Sequence, residues 1–211
     1  MLLRALCLMD DEESEWLYEP RGAAQVYPAE YEKFLAPLTA AERKGTMKEI
    51  LRAYQRRLTS PDKKVATEAA AAWTGWEDSV IALVPKPVTF KGSKDISVAI
   101  LENHYFINGG FLKPGQILAQ AHKLKGMPID VVHGRYDMIC PYRSVESLMK
   151  ILPNIRVKRV EDGGHSGYFK EELGYIRKVT DAFAAGKRRS KETLKAVRTA
   201  NLSKLKTRKR K

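Results

Sequence analysis

An aspartate and a histidine 28 residues apart are the pair in this chain whose types and setting could do acid–base chemistry. Asp137 stands in His133-Gly134-Arg135-Tyr136-Asp137-Met138-Ile139-Cys140-Pro141, and His165 stands in Asp162-Gly163-Gly164-His165-Ser166. Each segment follows an apolar, β-like run. A histidine so placed can act as a general base, and an aspartate beside it can hold its tautomer and stabilise its cation. Each residue alone has a plainer interpretation, an exposed histidine in a Gly-Gly turn and a helix-capping aspartate. Together, in this order, they read as the acid and base of a hydrolase that lacks its nucleophile.

The elements that must position them can also be read. Ile129-Asp130-Val131-Val132-His133, launched by Met127-Pro128 and stopped by Gly134, has the β-branched content of a short buried parallel strand. Asp137 follows its carboxyl end, the edge at which sites assemble in open α/β sheets. Ile155 to Val160 alternates apolar and basic residues, and Asp162-Gly163-Gly164 permits a sharp turn before His165. Both residues should therefore emerge at one sheet edge. Leu2 to Leu8 reads as an earlier strand with Cys7 buried in it. Between these strands the chain is mostly helical. Tyr31–Leu35, Lys48–Leu58 and Lys63–Trp76 carry apolar residues at three- and four-residue spacing. Ser60-Pro61-Asp62 suggests a helix start with proline in the first turn. Pro85, Pro87 and Gly92 mark a break before a further helix through Ile96 to Phe106.

Several segments carry a family resemblance. Glu102 to Leu112 (Glu-Asn-His-Tyr-Phe-Ile-Asn-Gly-Gly-Phe-Leu), His133 to Pro141 and Asp162 to Ser166 together resemble prolyl aminopeptidase, also called proline iminopeptidase, a serine peptidase of the α/β-hydrolase fold. Phe34 to Leu38, Ala53 to Ser60 and Ala71 to Glu77 add to the match. It runs from about Leu2 to about Ala185 and covers the second half of the family's pattern. It implies an α/β fold: the C-terminal part of a hydrolase, with about three parallel strands and a mostly helical cap insertion. The corresponding divisions are 1–9 for a sheet strand, 10–126 for the helical cap and connections, 127–185 for the strands and helices carrying Asp137 and His165, and 186–211 for a basic tail.

The family's oxyanion loop, His-Gly-Gly-Pro-Gly, and its nucleophile elbow, Gly-x-Ser-Trp-Gly, do not occur among these residues. Gly92-Ser93, Gly186 to Ser190 and His165-Ser166-Gly167 all fail the Gly-x-Ser-x-Gly spacing. The chain is thus expected to begin downstream of its nucleophile. A base with no hydroxyl to activate and no oxyanion donors should be inactive as a peptidase. By the resemblance, Glu77 and Glu102 bind the free imino group of an N-terminal proline, for which two carboxylates supply charge-assisted hydrogen bonds. Without it they would be ordinary helix carboxylates. Phe106 and Cys140 are candidates for the proline pocket, as are Trp16 and Tyr18, where the chain departs from the family's aromatic pattern.

Composition bounds the rest. The chain has 211 residues, 44% of them hydrophobic, enough for a real core. A mean hydropathy of -0.40 and the lack of a long apolar run exclude a membrane span. Two cysteines, Cys7 and Cys140, suit a reducing compartment without a disulfide framework. His104, His122, His133 and His165 show no zinc-ligand spacing, so neither a metal nor another cofactor is expected. The net charge of +13 is concentrated: residues 186–211 hold twelve Lys or Arg and one Glu. That tail should be disordered, or helical only when bound; it suits RNA, another acidic partner or nuclear targeting of an otherwise cytoplasmic protein, and equally a solvated tail without a dedicated partner. Two function classes follow. One is a truncated prolyl aminopeptidase-like serine hydrolase acting on peptides with N-terminal proline. The other is a non-catalytic binding or assembly protein derived from that fold. Half a sheet also exposes an edge, which a complementing chain or oligomer would cover.

Overall fold

The computed structural model describes residues 1–84 and 90–186. The expected proline break at Pro85 and Pro87 and the basic tail from 187 onward lie outside the described residues. The chain divides into two compact units, one of Met1–Leu8 with Gly115–Lys211 and one of Met9–Pro114. No described helix is long and apolar enough to cross a membrane.

The first unit is built on three parallel strands, β1 (Leu2–Arg4), β2 (Asp130–Gly134) and β3 (Arg156–Val160), in the order β1-β2-β3. Leu3 lies opposite Val131, which in turn lies opposite Val157. Every residue of β2 is buried, as the central strand of a parallel sheet requires. Ile129, Val131, Val145, Leu148, Leu152 and Ile155 form the core beneath it. Helix α7 (Arg143–Ile151) connects β2 to β3, and α8 (Lys170–Ala184) follows β3. The charge on β2 is neutralised locally. Asp130, 1% exposed, accepts from Arg156 Nε at 2.5 Å and from the Tyr175 hydroxyl at 2.9 Å, tying α8 to the strand.

Two sequence expectations need correction in this unit. The first strand stops at Arg4 instead of running to Leu8, and Cys7 is a half-buried loop residue. The backbone turns through a positive φ of 45° at Ala5, and the Leu6 N–H donates to the His133 ring at 3.1 Å instead of to a neighbouring strand. Residues 115–126, expected within the helical insertion, belong with the sheet. Short helix α6 (Gln116–Gln120) and the 3₁₀ turn Ala121–Leu124 put Leu118, Ala121 and Leu124 against its core.

The second unit is helical: α1 (Asp11–Tyr18), α2 (Pro28–Leu35), α3 (Met47–Leu58), α4 (Lys63–Val80) and α5 (Ser93–Ile107). Aromatic side chains fill its centre. Tyr18, Phe34, Tyr54, Trp73 and Trp76 are at most 1% exposed, with Phe34 stacked on Tyr54 at 4.7 Å and Tyr18 against Trp73 at 4.9 Å. Their polar atoms are paired, as burial demands. Trp76 Nε1 donates to Leu17 O, and the Tyr31 hydroxyl donates to Tyr18 O. Helix α4 starts two residues beyond Pro61, the proline expected inside its first turn, because Asp62 is the cap and accepts from Lys64 N at 2.8 Å.

One backbone contact positions the end of β2. Arg135 N donates to Val160 O and Tyr136 N to Gly163 O, each at 2.8 Å, so the chain leaving β2 is pinned to the turn leaving β3. A Cβ on Gly134 would sit 2.2 Å from Gly164 O and 2.5 Å from Gly163 O. Gly134→Ala is therefore expected to force the two segments apart and cost about 1–3 kcal/mol or more, the usual range for overpacking, read as a lower urea midpoint.

Candidate active site

The backbone contact at Gly134 delivers Asp137 and His165 to one place. His165 Nδ1 lies 3.1 Å from Asp137 Oδ1 and 3.0 Å from Oδ2. The Asp137 side chain is wholly buried, and that of His165 is 23% exposed. Asp137 Oδ1 also accepts from Ile139 N at 3.1 Å and Cys140 N at 2.8 Å, so the loop after β2 wraps its own carboxylate and fixes the direction in which it points. Two main-chain donors and an imidazole satisfy a buried carboxylate that would otherwise be costly. Arg4, at the end of β1, donates to the His165 carbonyl and to Glu172 Oε1, the latter at 2.9 Å, which anchors the backbone that presents His165. This arrangement can hold a histidine with Nδ1 protonated and Nε2 available as a base.

Cys140 is 5% exposed and sits in the same loop. Asp137, Cys140 and His165 can each bring a ligand atom within 4.8 Å of the others, the group of metal-ligand types that comes together among the described residues. The sequence spacing hid this, since the three converge from two strand ends. The carboxylate oxygens of Asp137 are already engaged by His165 and by main-chain N–H groups, which is the construction of a His–Asp pair.

The helical unit holds the two glutamates. Glu77 on α4 and Glu102 on α5 are hydrogen-bonded to one another, and both are half-buried. The Tyr18 hydroxyl donates to Glu77 Oε1 at 2.6 Å, and Trp73 Nε1 donates to Glu102 Oε2 at 2.9 Å. Burial, and then the neighbouring Glu102 carboxylate, push the Glu77 carboxyl well above its usual range, against the downward pull of the Tyr18 hydrogen bond. Burial and Glu77 likewise raise the Tyr18 phenol. Two carboxylates joined by a hydrogen bond share a proton between them. Phe106 is half-buried with its ring edge-on to Tyr18 at 5.1 Å. Trp16 is half-buried on α1.

Sequence reasoning gave no role to His133, Arg4, Glu172 or Trp73. A histidine inside an apolar strand and a tryptophan four residues before Glu77 were available signals. Arg4 and Glu172 carried none, because their pairing joins the first residues of the unit to its last helix.

The family model described as the alpha/beta hydrolase fold matches residues 2–172, and the chain belongs to that family. Among individual relatives, it is 34% identical to the proline iminopeptidase of Xanthomonas citri over 189 residues, covering 87% of this chain and 59% of that protein. It is 34% identical over 169 residues to the Neisseria gonorrhoeae proline iminopeptidase, covering 80% and 53%, and 35% identical over 171 residues to the one from Arabidopsis thaliana, covering 79% and 44%. The chain thus spans about half the length of the curated relatives it matches.

Glu77 yields a pH prediction. Its carboxyl titrates higher when folded than when unfolded, so the stability of the protonated form is fully present below the usual value of 4.5 and is lost as pH rises through the raised one. Glu77→Gln removes that loss. Its urea midpoint, relative to the unsubstituted chain, should climb as the pH rises above the usual value of 4.5. A difference that stays flat would contradict the raised carboxyl.

Proposed function

We propose that this chain supplies the acid, the base and the amine-binding carboxylates of a serine hydrolase that releases N-terminal proline from peptides. The observation that carries this reading is the contact of His165 Nδ1 with Asp137 Oδ2 at 3.0 Å, in a chain about a third identical to proline iminopeptidases. His165 Nε2 takes the proton of a serine hydroxyl as it attacks the prolyl carbonyl, then returns it to the leaving amine. Asp137 holds the imidazole with Nδ1 protonated and stabilises the cation formed during attack. Glu77 and Glu102 accept hydrogen bonds from the secondary ammonium of the substrate's first residue. A blocked amine offers these carboxylates neither a positive charge nor the same N–H donors, which is the basis for selecting a free N-terminus. The rings of Tyr18 and Phe106, 5.1 Å apart, supply an apolar wall beside Glu77.

The reading places the serine outside these 211 residues, in which Gly-x-Ser-x-Gly does not occur, and takes the chain alone to be inactive. Assayed by itself it should give no turnover of a prolyl arylamide. Fused behind the portion of the Xanthomonas citri relative that precedes the match, it should hydrolyse that substrate, and His165→Ala should then lower kcat by roughly 10⁴-fold. Glu77→Gln and Glu102→Gln should act mainly on KM. Turnover by the chain alone that survives His165→Ala would overturn the assignment.

A second reading, a non-catalytic role in binding a polyanion, is favoured by the twelve Lys or Arg against one Glu in 186–211. It fits cytoplasmic or nuclear work alike. It requires that deleting 186–211 abolish RNA binding whose affinity falls steeply with salt. RNA binding unchanged by that deletion would remove it.

A further inference from the structure

His133, the fourth residue of β2, is fully buried, and its ring is held at both nitrogens. The Leu6 N–H donates to Nδ1 at 3.1 Å. An amide N–H cannot accept, so Nδ1 carries no proton and the ring is the neutral Nε2–H form. Nε2 therefore donates to the Cys140 carbonyl at 2.8 Å and lies 3.4 Å from Asp137 Oδ2. Tyr142 closes the ring in edge-on at 5.8 Å. The residue whose carbonyl His133 holds is the same one whose N–H donates to Asp137 Oδ1, so the imidazole braces the far end of the loop that orients the acid.

We propose that His133 is a positioning residue for Asp137: a buried neutral imidazole that spans the loop after β1 and the loop after β2, and thereby sets the carboxylate to meet His165 Nδ1. The proposal rests on the reading of Asp137 and His165 as acid and base. The choice of residue follows from its chemistry. One rigid ring offers an acceptor and a donor on opposite sides, which lets it serve the Leu6 amide and the Cys140 carbonyl at once. An aliphatic side chain of the same volume would remove both of these hydrogen bonds. Glutamine can offer an acceptor and a donor from one amide group.

The test is NMR of the imidazole nitrogens in the full chain labelled with ¹⁵N-histidine. The unsubstituted chain should show His165 with Nδ1 protonated and a downfield Nδ1 proton, and His133 with Nε2 protonated and Nδ1 bare. In His133→Phe, which keeps a ring of similar size and removes both hydrogen bonds, the downfield His165 proton should be lost while the amide spectrum of the sheet unit persists. In His133→Gln it should be kept. A folded His133→Phe that retains the proton overturns the positioning role. If His133→Phe does not fold, the decision passes to the other two proteins. A His133 that carries its proton on Nδ1 in the folded unsubstituted chain, or a folded His133→Gln that loses the His165 signal, overturns the proposal. His165 without an Nδ1 proton in the unsubstituted chain would instead overturn the acid–base reading, a separate failure visible before any substitution is made.

Discussion

The chain leaving β2 can lie against the turn leaving β3 only because no side chain stands between them. Gly134 meets the carbonyls of Gly163 and Gly164, and the N–H groups of Arg135 and Tyr136 close the junction with two 2.8 Å hydrogen bonds. The contact between Asp137 and His165 depends on that backbone approach. Asp137 lies three residues beyond Gly134, and His165 follows Gly164 directly. A side chain at Gly134 would widen the gap between the two segments, and a His–Asp contact of 3.0 Å does not survive a displacement of that size.

Around this junction the sheet unit spends its polar groups on holding loops. His133 reaches forward to Cys140 and back to Leu6, while Arg4 reaches the His165 carbonyl and Glu172. The contacts with Leu6, His165 and Glu172 join residues far apart in sequence, and that with Cys140 closes the loop after β2. Buried charges are tolerated here because they are paired. Asp130 is held by Arg156 and Tyr175, and Asp137 by main-chain donors and an imidazole.

The helical unit solves a different problem with the same rule. Its centre is a cluster of aromatic rings that packs α4 through Trp73 and meets α5 through Phe106, and Glu77 and Glu102 on these two helices are hydrogen-bonded to each other. Two adjacent carboxylates repel when ionised, and burial makes the charged form costlier. The Tyr18 hydroxyl and the Trp73 indole N–H offset part of that cost by donating to one glutamate each. The pair is thus held in place by groups that otherwise belong to the core.

What the sequence by itself determined is local. The β-branched run before Gly134, the alternation before Val160 and the three- and four-residue spacing of the helices place β2, β3 and α2 to α5 near where they occur, because strand and helix periods are properties of short windows. The order of Asp137 and His165, and the residues of the family resemblance, are equally local. Tertiary structure decided the rest. The first strand ends at Arg4, although Leu6 to Leu8 read as its continuation, because the Leu6 amide is taken by a ring 127 residues away. Tyr18, legible only as an aromatic, became the hydrogen-bond donor to a glutamate 59 residues distant. His133 and Arg4 gained their roles in the same way, from partners whose proximity no spacing along the chain encodes and which arises only when the strands are laid side by side.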